Sequence, residues 1–398
     1  MVVLLERFGE RERERAGLLR GGQGVGADAG GSTRAAKTAA IASHSSSIAM
    51  NARTALAQAP SLASDRGIIA GEDWQLSWVA GVASVAIMLP MSTSEAIETF
   101  DCFGGSVSVI VMGAGPGGAP AAAVAMVRRR LLEWHSQFSR FEADSELSRL
   151  NRDPRETVPV SPVMARLIEA VLAAAAGSGG LVDATLVGEI ENAGYAGHFD
   201  AVPVPLARAL ELAPPRNPAG PRVRPRWREM VVDRSRGTVT RPLGTRFDSG
   251  GIAKGLFGDI LAAVLDGHQS FALDCVGDLR LGGSAGLGRS VQVANPFADA
   301  VLHVFELRDG AVATSGIGRR SWLDRDGHPA HHLLDPASGR PAFTGIVQVT
   351  AIAPSGVEAE WLSKAALLSG PAEVRRWLPH GGLVVYDDAR FEVFEAAR

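Results

Sequence analysis

Beyond residue 91 the apolar pattern changes period repeatedly without strict strand–helix alternation, and that order restricts the fold more than any other feature. Val107–Met112 is a short apolar run between glycines and reads as a strand. Ala119–Phe138 and Ser161–Ala176 carry helical spacing, and Gly250–Val264 opens on glycines and continues as a helix. Phe271–Asp278, Ser290–Ala294, Val301–Leu307 and Ile346–Ala353 read as strands, Val357–Leu368 as a helix, and Leu383–Tyr386 with Phe391–Phe394 as a terminal hairpin. Pro203–Pro225 is Pro-rich and reads as irregular surface. Regular alternation would build a doubly wound parallel sheet. Its absence predicts an α+β fold of mixed sheets with helices.

The chain has 398 residues, 46% of them hydrophobic, enough for a sizeable core. Lys and Arg number 40 against 43 Asp and Glu, a net charge of -3, so no polyanion-binding surface follows and nucleic acid is not an expected partner. The two cysteines, Cys102 and Cys275, cannot form a disulfide framework or a four-cysteine zinc site, and a reducing, cytoplasmic setting is expected.

Residues 1–90 differ from the rest: Arg11–Arg15 alternates charge, Gly21–Gly31 is loop-like and Ala35–Ala63 is Ala/Ser-rich. They read as a disordered or mis-assigned extension upstream of a fresh start at Met91, with residues 91–398 as the working domain. The charges at Glu6, Arg7 and Glu10–Arg15 precede no apolar core, so no secretory signal is expected. Trp78–Leu89 is apolar over only 12 residues, against the ~20 needed to cross a bilayer. No transmembrane span is expected, and the run reads as a buried element or as a peripheral membrane patch through 78–89.

Gly113-Ala-Gly115-Pro-Gly117-Gly118 fits G-x-G-x-x-G between a strand and a helix, the context of a dinucleotide fold, and supports an NAD(P)-binding oxidoreductase. That fold wants an acidic residue about 20 positions on. Here the zone is Arg128–Phe138, still helical and basic. A turn this rich in Gly and Pro needs no ligand to explain it.

Four other segments carry chemistry. In Ser139–Asn151, Asp144 or Ser145 is placed to cap a short helix with Leu147 and Leu150 inward. Asp183 and Thr185 follow an apolar pair, and either bind a ligand or cap the next helix. Gly250-Gly251-Ile-Ala-Lys254 lets backbone approach a ligand, offers helix-start N–H groups to phosphate, and adds a point charge. Its other reading is a tight strand-to-helix turn with a solvated lysine. The fourth runs from Val312–Gly316 to His331–Pro341, where His332, Asp335 and Ser338 cluster on a turn fixed by Asp-Pro.

Taken in order, these segments resemble the FAD:protein FMN transferase (ApbE-type) family over roughly Phe103 to Gly370. The matching pieces are S-x-[YF]-x-x-x-S-E-L-S-x-L-N at Ser139–Asn151, the Asp183-x-Thr185 pair, G-G-I-A-K-G at Gly250–Gly255, Gly277-Asp278, Thr314-Ser315-Gly316, and H-x-x-D-P-x-[TS]-G-x-P at His332–Pro341. The resemblance implies an ApbE-like, T-fold-related α+β fold with FAD in a cleft. It also implies Mg2+-assisted cleavage of the FAD pyrophosphate, leaving FMN on a Thr or Ser of an acceptor protein. On it, Phe103 and Phe141 would flank the flavin or adenine. Asp183, Thr185, Gly250, Gly251, Lys254, Leu256, Thr314 and Ser315 would line the nucleotide, and His332 and Leu334 would sit near the reacting end. His332 or Asp335 would take the acceptor's proton.

The metal position departs from the family's A-D-x-x-x-T, which joins a carbonyl equivalent to that of Ala253. Here it reads Ala359-Glu360-Trp361-Leu362-Ser363-Lys364. Glu360 remains a hard oxygen ligand, whereas a charged Lys364 cannot bind a cation. The two are four apart, acid first, the favourable order for a helical ion pair. Lys364 either stands in for part of the metal's charge, or swings aside while Mg2+ binds Glu360 and the Ala253 carbonyl, or forms a solvated bridge with catalysis lost. The paired change of both positions favours the first. An FAD-binding member without transferase activity is the alternative function.

Overall fold

The computed structural model describes residues 95–116, 118–198 and 203–396. The expectations for residues 1–90, for a start at Met91 and for 78–89 lie outside the described residues.

Eight strands form one antiparallel sheet in which neighbours in space are neighbours in chain order. They are β1 Glu95–Cys102, β2 Gly105–Met112, β3 Ser270–Cys275, β4 Asp278–Gly282, β5 Gly310–Gly316, β6 Ile346–Ala353, β7 Gly382–Tyr386 and β8 Phe391–Phe394. The helices interrupt this meander: α1 Pro120–Phe138, α2 Glu146–Arg152, α3 Pro162–Gly177, α4 Val187–Asn192, α5 Leu206–Glu211 and α6 Ala253–Leu265 between β2 and β3, and α7 Gly356–Ser369 between β6 and β7.

Sequence patterns explain the elements. In β2, Val107, Val109 and Val111 are fully buried at the period of 2 that a half-covered sheet requires. In α1, Val124, Val127, Leu131, Trp134 and Phe138 follow the helical period onto the same core. Phe257 of α6 sits at its centre, stacked 4.8 Å from Trp134. The opposite face carries a smaller core of Leu279, Leu281, Val291 and Val312, covered in part by the hairpin of Arg289–Ala294 and Val301–Leu307. Both thiols are buried and unbridged.

Three expectations change. Phe271–Asp278 is two strands, because Val276 and Gly277 adopt φ of 62° and 92° and turn the chain, with the Gly277 N–H donating to Asp274 Oδ1 at 2.7 Å. Pro203–Pro225 contains α5. The glycine motif at 113–118 holds no dinucleotide fold, since β2 is antiparallel to both neighbours and no parallel crossover follows it. That loop is instead closed on itself by Gly115–Gly118 backbone bonds and tied to His268 Nδ1 through the Gly113 carbonyl at 2.7 Å.

Candidate active site

The loop before α6 gathers the first motifs. Asp248 accepts the Gly250 N–H through Oδ1 at 2.6 Å and pairs with Arg140 Nε through Oδ2 at 2.9 Å. The Arg140 guanidinium lies 4.2 Å over the Phe141 ring and 4.8 Å over that of Tyr195. The Asp248 N–H donates to the Ala184 carbonyl at 3.0 Å. Residues near 140, 184 and 250 are thus held side by side.

Of the two cap candidates, Ser145 and not Asp144 caps α2, accepting the Ser148 N–H, and Leu147 and Leu150 are buried, as the sequence predicts. Asp183 does not cap α4, whose N-cap is Leu186 and has no side-chain acceptor. Its Oδ1 takes the Thr185 N–H and hydroxyl at 2.8 and 2.6 Å, while Oδ2 is buried without a partner. An acceptor desolvated in this way invites a donor.

The start of α6 meets the start of α7 at two glycines. A Cβ on Gly255 would lie 2.4 Å from the Gly356 backbone, so only glycine permits this approach. The crossing aligns two reciprocal caps. Glu360 of α7, fully buried, accepts the Gly255 N–H through Oε2 at 2.9 Å. Asp259 of α6 accepts the Gly356 and Val357 N–H groups at 2.7 and 3.0 Å.

Charges gather at this crossing. Lys254 pairs with Asp278 of β4. Lys364 Nζ lies 3.4 Å from Glu360 Oε1, its side chain 14% exposed and its methylenes beside Gly251. Burial pulls the Lys254 pKa down, but Asp278 and Glu360 outweigh it and the net shift is upward, so the ammonium persists. Burial pushes Glu360 up, Lys364 pulls it down and Asp278 pushes it up again. Ser315 reaches α7 through a 2.8 Å hydroxyl contact with Ser363.

His332 is held neutral, its pKa driven well below the usual value by burial and then by the charge of Arg320, with His331 and Lys364 adding to it. Its Nδ1 is buried and unpartnered. Arg320 also donates to the Phe103 carbonyl at 3.4 Å, and Phe103 stacks 5.9 Å from Phe257.

Four expected residues are placed otherwise. Thr314 bonds Thr350 and, one step from Ser315 in β5, faces the opposite side of the sheet. Asp335 is occupied: Oδ1 takes the Gly220 and Ala337 N–H groups, and Oδ2 takes the Ser338 N–H and hydroxyl. It staples the turn, so its lone pairs are not free for a proton. Leu256 lies in the main core, and Leu334 packs with Leu186 and Ile190. Arg140, Asp248, Asp259 and Arg320 escaped the sequence reading, because their partners are remote in the chain and no local spacing announces them.

The donor set does not fit Mg2+. One Glu360 oxygen is taken by a backbone N–H, the other faces an ammonium, and Ala253 is the first residue of α6 with its carbonyl in the helix ladder. Among the described residues the three-ligand grouping is elsewhere, at exposed Asp326 and His328 with Asp324, where Asp324 Oδ1 already accepts two N–H groups.

The ApbE family profile matches residues 103–386. The FAD:protein FMN transferase of Klebsiella pneumoniae (strain 342) is 26% identical over 258 residues, covering 62% of this chain and 71% of that protein. The FAD:protein FMN transferase of Treponema pallidum (strain Nichols) is 32% identical over 141 residues, covering 32% of this chain and 39% of that protein. The crystal structure of an ApbE protein from Thermotoga maritima superposes with a TM-score of 0.61 at 26% identity, covering 76% of this chain and 97% of the other. Apo flavinyl transferase ApbE from Pseudomonas stutzeri gives a TM-score of 0.59 at 23% identity, covering 77% of this chain and 96% of the other, a likeness of fold.

Proposed function

This chain belongs to the ApbE family, and we propose that it transfers FMN from FAD to a Thr or Ser hydroxyl of an acceptor protein, releasing AMP. Residues 91–398 are the working domain in this reading. The observation that carries it is a pair of ammonium groups at a glycine-lined turn: Lys254 in the first turn of α6, paired with Asp278, and Lys364 beside Gly251, paired with Glu360. That arrangement suits a diphosphate.

The chemistry is phosphoryl transfer, in which catalysis is mostly positioning and electrostatic stabilisation. Gly250 and Gly251 let the diphosphate approach, and Lys254 holds it. Phe103 and Phe141 offer ring faces to the flavin and adenine, Phe141 stiffened by Arg140. The unpartnered Asp183 Oδ2 accepts from a ribityl or ribose hydroxyl, with Thr185 fixing the carboxylate. The neutral His332 receives the acceptor's proton at Nδ1.

No helix among the described residues is long and apolar enough to cross a membrane. The buried free thiols support a reducing, cytoplasmic setting.

The test mixes the purified chain with FAD and an acceptor domain bearing a flavinylation Thr. Expected are a fluorescent acceptor band and one AMP per label, both lost when the acceptor Thr is changed to Ala. A yellow chain with no labelled acceptor would replace transfer by FAD storage or delivery.

A further inference from the structure

We propose that Lys364 is the resident cation of this active site: its ammonium takes the place of a divalent metal ion, and the chain acts on FAD without one. This rests on the flavin-transfer reading and deepens it. Lys364 Nζ is held 3.4 Å from Glu360 Oε1 and 3.3 Å from the Glu360 carbonyl, and its methylenes pack beside Gly251. The ammonium is therefore at the mouth of the same glycine turn and helix start that would receive the diphosphate. Glu360 cannot release it cheaply. The carboxylate is fully buried, its second oxygen is fixed by the Gly255 N–H, and losing Lys364 would leave a buried charge short of a partner.

The charge balance agrees. Lys254 is matched by Asp278, Lys364 by Glu360, and the neighbouring Arg319 by Asp274, which leaves these pairs neutral. Arg320 adds a positive charge that acts on both Lys254 and His332. Lys364 and Arg320 together carry the two positive charges that a divalent ion would bring. Unlike an ion, they are covalently fixed, and their desolvation is met when the chain folds.

In the transfer step the acceptor oxygen bonds to the flavin-side phosphorus as the bond from that phosphorus to the bridging oxygen breaks. The bridging oxygen leaves with the electron pair on AMP. The hydroxyl proton passes to His332 Nδ1 and on to water, and nothing is oxidised or reduced. Lys364 keeps its protons and stabilises the charge developing on the leaving phosphate.

The test uses the full chain with FAD, in EDTA and in Mg2+, with Mn2+ as the spectroscopic metal probe. Expected for the wild type are FAD affinity and acceptor labelling within about twofold in the two buffers, with no Mn2+ held beyond what free FAD binds. Lys364→Thr should hold Mn2+ and lose about tenfold or more in FAD affinity in EDTA, regained with Mg2+. Lys364→Met should lose about 10²–10³ in labelling rate in EDTA, whereas Lys364→Arg keeps most of it and guards against a folding artefact. Wild-type labelling that requires Mg2+, tight Mn2+ binding by the wild type, or full EDTA activity of Lys364→Met would each overturn the inference while the transferase reading stands. A chain that binds FAD but labels in neither buffer, or binds no FAD at all, overturns the transferase reading and this inference with it.

Discussion

Asp259 and Glu360 cap each other's helices. Asp259, on α6, accepts the first N–H groups of α7, and Glu360, on α7, accepts the Gly255 N–H in the first turn of α6. Each carboxylate also meets a cation, Arg280 at 3.4 Å for Asp259 and Lys364 at 3.4 Å for Glu360. The pair fixes two helix starts against one another, and the proposed diphosphate site lies beside Gly251 at the start of α6.

Removing one cap tests that lock. Asp259→Ala strands two N–H groups and should cost about 1–2 kcal/mol, read from the urea midpoint. FAD affinity should fall as well, because the start of α7 carries Glu360 and Lys364. Unchanged FAD binding with the stability loss would show that the lock is structural only.

The crossing itself is testable at Gly255. Gly255→Ala drives a methyl into the Gly356 backbone, where the gap is 2.4 Å, and should destabilise by about 1–3 kcal/mol. Gly188→Ala, whose Cβ meets only the Arg246 side-chain end at 3.5 Å, is the control and should be neutral or slightly stabilising.

Lys254 separates binding from folding. Lys254→Met strands the Asp278 carboxylate, only 7% exposed, and should lower both stability and FAD affinity, the latter about tenfold or more. Adding Asp278→Leu should restore stability without restoring FAD affinity. Calorimetric titration with FAD and thermal unfolding read the two effects independently.

His331 makes acid lability predictable. It is buried against Phe343, accepts the Leu333 N–H at Nδ1, and burial lowers its pKa to about 3. The unfolded imidazole titrates near its usual ~6.5. Between those values the unfolded chain binds more protons, so stability falls as pH drops below about 6.5 and the loss is complete near 3. The slope from this group is at most ~1.4 kcal/mol per pH unit. His331→Gln should flatten the decline between pH 6 and 4 in chemical denaturation.

His332 should act on rate alone. His332→Gln removes the proton acceptor while leaving the turn staple of Asp335 intact, and should slow labelling about 10²–10⁴-fold with FAD affinity nearly unchanged. Equal losses in both would make it a binding residue.

Local rules reach as far as local contacts do. Helical period placed α1, α3 and α7, a short apolar run between glycines placed β2, and a spacing of four with the acid first announced the Glu360–Lys364 pair, because each depends on neighbours within a turn or two along the chain. The glycine-lined turn before α6 and the Ser145 cap were readable for the same reason. Tertiary structure decided the rest. It split Phe271–Asp278 at Val276–Gly277, turned Thr314 to the far face, spent Asp335 on Gly220, and brought Asp259 to the start of α7. Which N–H a carboxylate meets, and which side of a strand is covered, depend on segments about a hundred residues away. No spacing within one segment encodes that distance.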